Sequence, residues 1–219
     1  MIQTLHILNG QAMYDFFKKT RFLEQENMVP FNEAMSFGDV RGELFSQEFI
    51  ENRAKVHHVT IEQYTLNTLK PLEPLLNGDF VMLELWFDAD MFCQINVLTI
   101  LAWLDKTGYT NSVILHIVGD EFKPIEYFTL NAAGYDDLYK QVIIHKNIPH
   151  TINPVPLKKG IERYLHYLKE ESELINYIKE YKNLPDRELV TALIKNFTEY
   201  GLGDVQYLEL INSVRKKTL

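Results

Sequence analysis

One cysteine in 219 residues, Cys93, leaves no second thiol for an intrachain disulfide. That excludes a disulfide framework and makes a reducing compartment the natural setting, so the expected location is cytoplasmic. Long hydrophobic runs are missing as well. Stretches such as Phe80 to Leu83 fall far short of the roughly 20 residues that a membrane helix needs. The opening MIQTLHILNG has neither a basic region nor a small-residue cleavage site and does not read as a signal peptide. Glycines are few (10) and never spaced as G-x-G-x-x-G or as a Walker loop. A surplus of positive charge is also lacking. The net charge is −8; residues 1–156 hold 11 Lys/Arg against 20 Asp/Glu, and residues 157–219 hold 11 against 10. An acidic body repels phosphate backbones, so nucleic-acid binding is disfavoured.

What is present is ordinary globular composition with 27 aromatic residues, enough for a sizeable core. Residues 4–8 followed by Asn9-Gly10 and an amphipathic stretch, Ala12 to Lys19, read as strand, tight turn, helix. Met28 to Phe31 is a second short strand. Arg41 to Leu76 reads as helical, with Leu44, Phe45, Phe49 and Ile50 on one face, a capping box at Thr60 and Gln63, and breaks at Pro71 and Pro74. Phe80 to Phe87 is the clearest strand; Asp88-Ala89-Asp90 closes it before an apolar helix from Met91 to Leu104. Asn111 to Val118 is a further strand. Strands separated by helices imply right-handed crossovers and a parallel sheet. The expected fold is therefore an α/β, three-layer open sheet, Rossmann-like or flavodoxin-like, with a C-terminal helical extension. Tyr135 to His145 is helix, or Lys140 to Ile144 strand. The proline-rich segment 148–156 divides an α/β core, residues 1–150, from helices in residues 157–219. These either pack on the core or form a small subdomain.

Three segments resemble a bacterial family, the domain of unknown function numbered eighteen-thirty-five. His6-Ile7-Leu8-Asn9-Gly10 matches its opening His-Ile-x-Asn-Gly. Phe31 to Val40 is similar to its W-R-D-x-L-x-x-G-P-V, with Asn32 in place of a basic residue and Asp39 in place of proline. Leu85 to Leu98 resembles L-W-F-x-x-D-x-x-D-Q-L-N-L, with Cys93 where an acid is usual. Gly201 to Gln206 is similar to a G-L-x-x-x-[EQ] element before the last helix. The resemblance implies a bacterial source and the α/β fold, and it brings no activity with it.

Ligands of open parallel sheets sit beyond the carboxyl ends of the strands, and this chain places polar residues there. Glu33, Asp88 and Asp90 are the candidates for acid–base work; His6, Asn9, Gly10, Ser36 and Gln94 are candidates for ligand contact. One of Asp88 and Asp90 is expected to cap the following helix. Gln94, on the core-facing stripe with Leu98 and Leu101, either faces a pocket or ties its helix to a neighbouring loop. Glu33 with a single spare aspartate is a thin donor set, so no metal is expected. His57, His58, His145 and His150 read as surface residues. Cys93 lacks a neighbouring histidine and sits beside two carboxylates, which argues against a nucleophile. Met35-Ser36-Phe37-Gly38 is not a hydrolase elbow.

Two functions from different classes follow. One is a small-molecule-binding protein or enzyme with an acidic cleft, taking a cationic or hydroxyl-rich ligand; no cofactor is identified. The other is a non-catalytic regulatory or interaction module using the C-terminal helices, where the region from Tyr164 to Tyr181 is rich in aromatics. A homodimer stays open.

Overall fold

The structure, a computed structural model, describes residues 2–217. Strand β1 (Ile2–Leu8) leads through Asn9 into helix α1 (Gly10–Thr20), and β2 (Asn27–Pro30) returns beside it. A long crossover follows. It contains α2 (Gln47–Val56), α3 (Ile61–Tyr64) with a π-helical continuation (Thr65–Leu69), and α4 (Glu73–Leu76). Then come β3 (Phe80–Phe87), α5 (Met91–Lys106) and β4 (Val113–Val118). The sheet has five strands in the order β2-β1-β3-β4-β5. The first four pair in parallel, and β5 (Pro124–Leu130) pairs antiparallel with β4. Helix α6 (Tyr135–Tyr139), extended by a π turn over Lys140–Ile144, precedes α7 (Val155–Tyr167), α8 (Glu173–Glu180), α9 (Asp186–Asn196) and α10 (Asp204–Lys217).

The three-layer α/β architecture thus agrees with the sequence pattern. Strand β3 alternates: Leu83, Leu85 and Phe87 face the main core with α5, while Trp86 faces α1 together with Leu8, Met13 and Phe17. Helix α5 is buried nearly all round, because the sheet lies on one side and α6 and α7 on the other. Each fully buried Leu or Ile there contributes about 1.5–3 kcal/mol. No helix among the described residues is long and apolar enough to cross a membrane.

Two local readings change, at residues 41–46 and at β5, and two left open, at residues 140–144 and 157–217, are decided. Residues 41–46 are turn rather than helix, because Ser46 caps α2 by accepting a hydrogen bond from the Phe49 amide. Residues 140–144 continue the helix; a strand there would expose Val142 and Ile143, which pack into the core. Strand β5 has no apolar alternation to announce it, since Ile125 and Tyr127 are both exposed. A tight turn with Glu121 and Phe122 at positive φ folds it back on β4 in place of a further helical crossover. The helices of residues 157–217 join the main core, with Tyr164 and Tyr200 buried and Tyr177 packed on Tyr181 and Phe197. Their aromatics are therefore largely used within the chain.

The closest approach between α5 and α7 is at Gly160, where a Cβ would stand 2.4 Å from Gln94 Cβ. Alanine would gain about 1 kcal/mol of helix propensity in open space. Here the overlap outweighs that gain, and Gly160→Ala is expected to lose about 1–3 kcal/mol. Urea unfolding checks this: a lowered midpoint at unchanged slope is expected, and an unchanged or raised midpoint contradicts the close contact.

Candidate functional site

In a sheet ordered 2-1-3-4, the chain leaves β1 toward one edge and β3 toward the other, opening a crevice between their carboxyl ends. Asn9 and Asp88 stand at those two ends. The Asn9 amide donates to the Trp86 carbonyl (3.0 Å), which continues the β1–β3 ladder into the turn. Its side-chain Nδ2 donates to Asp88 Oδ2 (2.9 Å) and reaches Cys93 Sγ (3.0 Å). Asp90 is the helix cap: its Oδ1 accepts from the Cys93 amide at 2.8 Å. Asp88 is the spare carboxylate. The Cys93 thiol lies 3.3 Å from Asp90 Oδ2 and 3.9 Å from Asp88 Oδ2.

Gly10 (φ +74°) starts α1 beside this cluster, and Gly201 (φ +64°) closes it from the other side. A Cβ on Gly201 would fall 2.3 Å from the Asp90 carboxylate, so only glycine lets that loop approach. The resulting cavity, about 390 Å³, is lined by Asn9, Gly10, Glu33, Asp90, Cys93 and Gly201 among others; Asp88 touches Asn9 and Cys93 but is not part of this wall. A second cavity of about 530 Å³ adjoins it and shares Gln11, Asn32 and His57.

Neither Asp88 nor Asp90 has an ion-pair partner among the described residues. Burial raises the Asp90 carboxyl to about 6, with the Cys93 amide and thiol partly offsetting it. Burial raises Asp88 too, against the hydrogen bond from Asn9. The Cys93 thiol is pushed well up by burial and by both carboxylates, so it stays protonated and is a poor nucleophile. One oxygen from each carboxylate and the thiol sulfur lie within 4.8 Å of one another, a donor set that could hold a divalent ion. The sequence pairs Glu33 with only one spare aspartate, and no metal is expected from it; in the structure both aspartates and Cys93 form the set, and Glu33 is not in it.

Glu33 is elsewhere in the energetics. Its side chain is fully buried, and its Oε1 accepts from the Ala34 amide (2.7 Å), Arg53 Nε and Nη2 (3.2 and 2.8 Å) and His57 Nε2 (2.6 Å). Tyr64 donates to Oε2. Burial alone would raise this carboxyl, but the His57 hydrogen bond and the Arg53 charge bring it down to about 2. A carboxylate so occupied and hidden cannot serve as the general base expected of it. His57, expected at the surface, is instead a wall of both cavities, its side chain one quarter exposed and its ring 6.0 Å from that of Tyr64. His58 and the pair His145 and His150 are exposed.

Gln94 is fully buried and donates to the Asp88 carbonyl (2.6 Å), which makes it the tie between helix and loop rather than a pocket residue. Ser36 is buried, and its hydroxyl has no hydrogen-bond partner and does not line either cavity. His6 lies on the opposite face of the sheet, accepting from Trp86 Nε1 (3.2 Å) beside Glu84, and burial lowers its pKa. The structure therefore brings together Asn9, Gly10, Asp88 and Asp90, and separates His6 and Ser36 from them. Arg53, Tyr64 and Asn96 were not singled out by sequence. Asn96 donates to the Glu33 carbonyl and accepts from the Met35 amide, pinning the loop after β2 to α5. Searches against family models, curated proteins and solved structures return no match for this chain.

Two outcomes test these electrostatics. Glu33 is depressed from 4.5 to about 2, so its stabilisation is complete above pH 4.5 and disappears as pH falls toward 2. Removing Arg53 strands that charge, and Arg53→Ala is expected to cost about 3–5 kcal/mol at pH 7. The difference from wild type should narrow in acid, and a cost below about 1 kcal/mol at pH 7 refutes the lock. Asp90 is raised from 3.8 to about 6, so its charge opposes folding above pH 6 and ceases to matter below 3.8. Asn caps as well as Asp, so Asp90→Asn should be more stable by about 1–3 kcal/mol at pH 8. Denaturation at pH 8 and pH 4 reads this out: the gain must be absent at pH 4.

Proposed function

We propose that this chain binds a small, cationic or hydroxyl-rich molecule in the acidic crevice between the carboxyl ends of β1 and β3. The observation that carries the reading is a contrast between buried acids. Glu33 is neutralised by Arg53 and enclosed by donors, as burial of a charge demands. Asp88 and Asp90 are held in a partly buried cluster with raised pKa values and no ion pair among the described residues, Arg163 acting on Asp90 only from beyond contact distance, at the crossover where ligands of such sheets sit. An arrangement that costs the fold stability and lines a cavity is typical of a site kept for a ligand. A positively charged group from the ligand would supply the missing partner, with Asn9 orienting Asp88 and offering its amide edge. A phosphate would meet two carboxylates and no lysine.

The family resemblance belongs to the same proposal. The segments 31–40 and 85–98 that bear it meet in space through Asn96, Glu33 and Met35, and His6 to Gly10 supplies the opposing strand end. A bacterial source is part of what that resemblance implies, and a cytoplasmic setting is proposed on the unpaired thiol of Cys93.

A thermal-shift panel of amines, polyamines, amino acids, sugars and divalent ions on the wild type and Asp88→Asn is the test. Stabilisation by an amine or polyol of the wild type, reduced at least about tenfold in apparent affinity by Asp88→Asn, is expected. A divalent ion as the sole hit, held by Asp88, Asp90 and Cys93, would overturn it. So would a hit indifferent to Asp88.

A further inference from the structure

The larger of the two adjoining cavities differs in chemistry from the acidic one. Its wall sets Gln11, Asn32, His57, Gln63, Asn67 and Thr68 beside the apolar Val59, Leu66 and Pro71, with no carboxylate and no lysine or arginine. Thr68 and Asn67 stand there because the chain passes from α3 into the π-helical turn Thr65–Leu69, which shifts the helix register at the groove. The Thr68 hydroxyl donates to the Asn32 carbonyl (3.0 Å), and Asn32 Nδ2 donates to the Asn67 carbonyl (2.9 Å), so the turn is bonded to the loop after β2. These bonds leave definite groups unused. The Asn67 carboxamide, Asn32 Oδ1 and Nδ1 of His57 make no hydrogen bond among the described residues.

His57 is built into this wall rather than resting on the surface. Its Nε2 is held at 2.6 Å by Glu33, whose side chain is completely buried, and its ring lies against that of Tyr64. A ring whose Nε2–H is committed to a carboxylate presents Nδ1 as an acceptor. Tyr64 is itself 2% exposed and offers no free ring face, so the wall has no platform for stacking a base. Carboxamides, a hydroxyl and an imidazole beside Val59, Leu66 and Pro71 match the hydrogen-bonding edge and the C–H face of an uncharged polyol.

The two compartments share Gln11, Asn32 and His57 and so form one groove, acidic at the Asp90 end and neutral at the Asn67 end. We propose that the ligand is an amine-bearing polyol of the amino-sugar class. Its ammonium lies at Asp88 and Asp90, its hydroxyls lie along the carboxamide wall, and His57 Nδ1 accepts from a hydroxyl at the junction. This rests on the acidic-crevice reading above and adds the second half of the molecule.

Calorimetric titration with glucosamine, glucose and putrescine, on the wild type and on Asp88→Asn, Asn67→Ala and His57→Gln, separates the parts. Glucosamine is expected to bind at least about tenfold more tightly than putrescine or glucose. Asn67→Ala should weaken glucosamine several-fold while leaving putrescine unchanged, His57→Gln should weaken glucosamine, and Asp88→Asn should weaken both amines. Asn67 is exposed and its side chain holds no internal contact, so its removal does not threaten the fold. Equal affinity for glucosamine and putrescine, or indifference of glucosamine to Asn67→Ala, overturns the polyol half and leaves the acidic crevice standing. No binding of either amine overturns both.

Discussion

The buried carboxylate of Glu33 is the group around which this end of the molecule is assembled. Burying an unpaired charge is prohibitive, and the chain meets that cost by converging on it. Arg53 from α2 brings a fork that also donates to the carbonyls of Ala34, Phe37 and Asp39; His57 comes one turn further along the same helix, and Tyr64 comes from α3. Each of these bonds fixes an element that also buries apolar side chains, Phe49 on α2 and Met35 in the loop after β2 among them. The loop after β2, the orientation of α2 and the entry to the π-helical turn are all positioned by one carboxyl group. Asn96 completes the arrangement from α5, so the helix of the main core and the crossover region hold the same loop between them.

Against that background the second pair of acids stands out. Asp88 and Asp90 are only partly buried, and the described residues give them an amide, a backbone N–H and a thiol as hydrogen-bond partners, with Arg163 acting on Asp90 from beyond contact distance. The two acidic centres lie on either side of a single groove, one spent on structure and one left with its charge unbalanced. The first makes the wall rigid; the second makes it acidic. A rigid wall with a small number of unbalanced groups is the usual construction of a ligand site. His57 joins the two, fixed by the structural carboxylate and facing the cavity that Asp90 lines.

The regular elements were largely legible in the sequence. Alternation over Phe80–Phe87 and the Asp90 cap needed only local physics, because strand period and helix capping act over a few residues. The capping box at Thr60 and Gln63 forms as its spacing implies. Strand β5 was not legible, because this edge strand carries apolar residues on both faces, Ile125 and Tyr127 exposed and Phe128 and Leu130 half-buried, so no apolar–polar alternation marks it. The role of Glu33 was missed for a different reason. Phe49, Arg53 and His57 fall four residues apart on one stripe of α2, and a charged residue on a buried stripe asks for a counter-ion. The sequence contained that request; it did not contain the 20-residue separation closing to 2.8 Å.

By itself the sequence determined the α/β class, the succession of strands and helices, and the placement of Asn9, Asp88 and Asp90 at strand ends. Those follow from periodicity and capping, which depend on neighbours along the chain. Only the tertiary structure decided which acids are neutralised and which are not. Glu33 and Asp88 look alike in sequence, each a carboxylate just beyond a strand. What separates them is the arrival of Arg53 at one and of Asn9 and Cys93 at the other, and the energy of a buried charge is set by the groups that surround it in space.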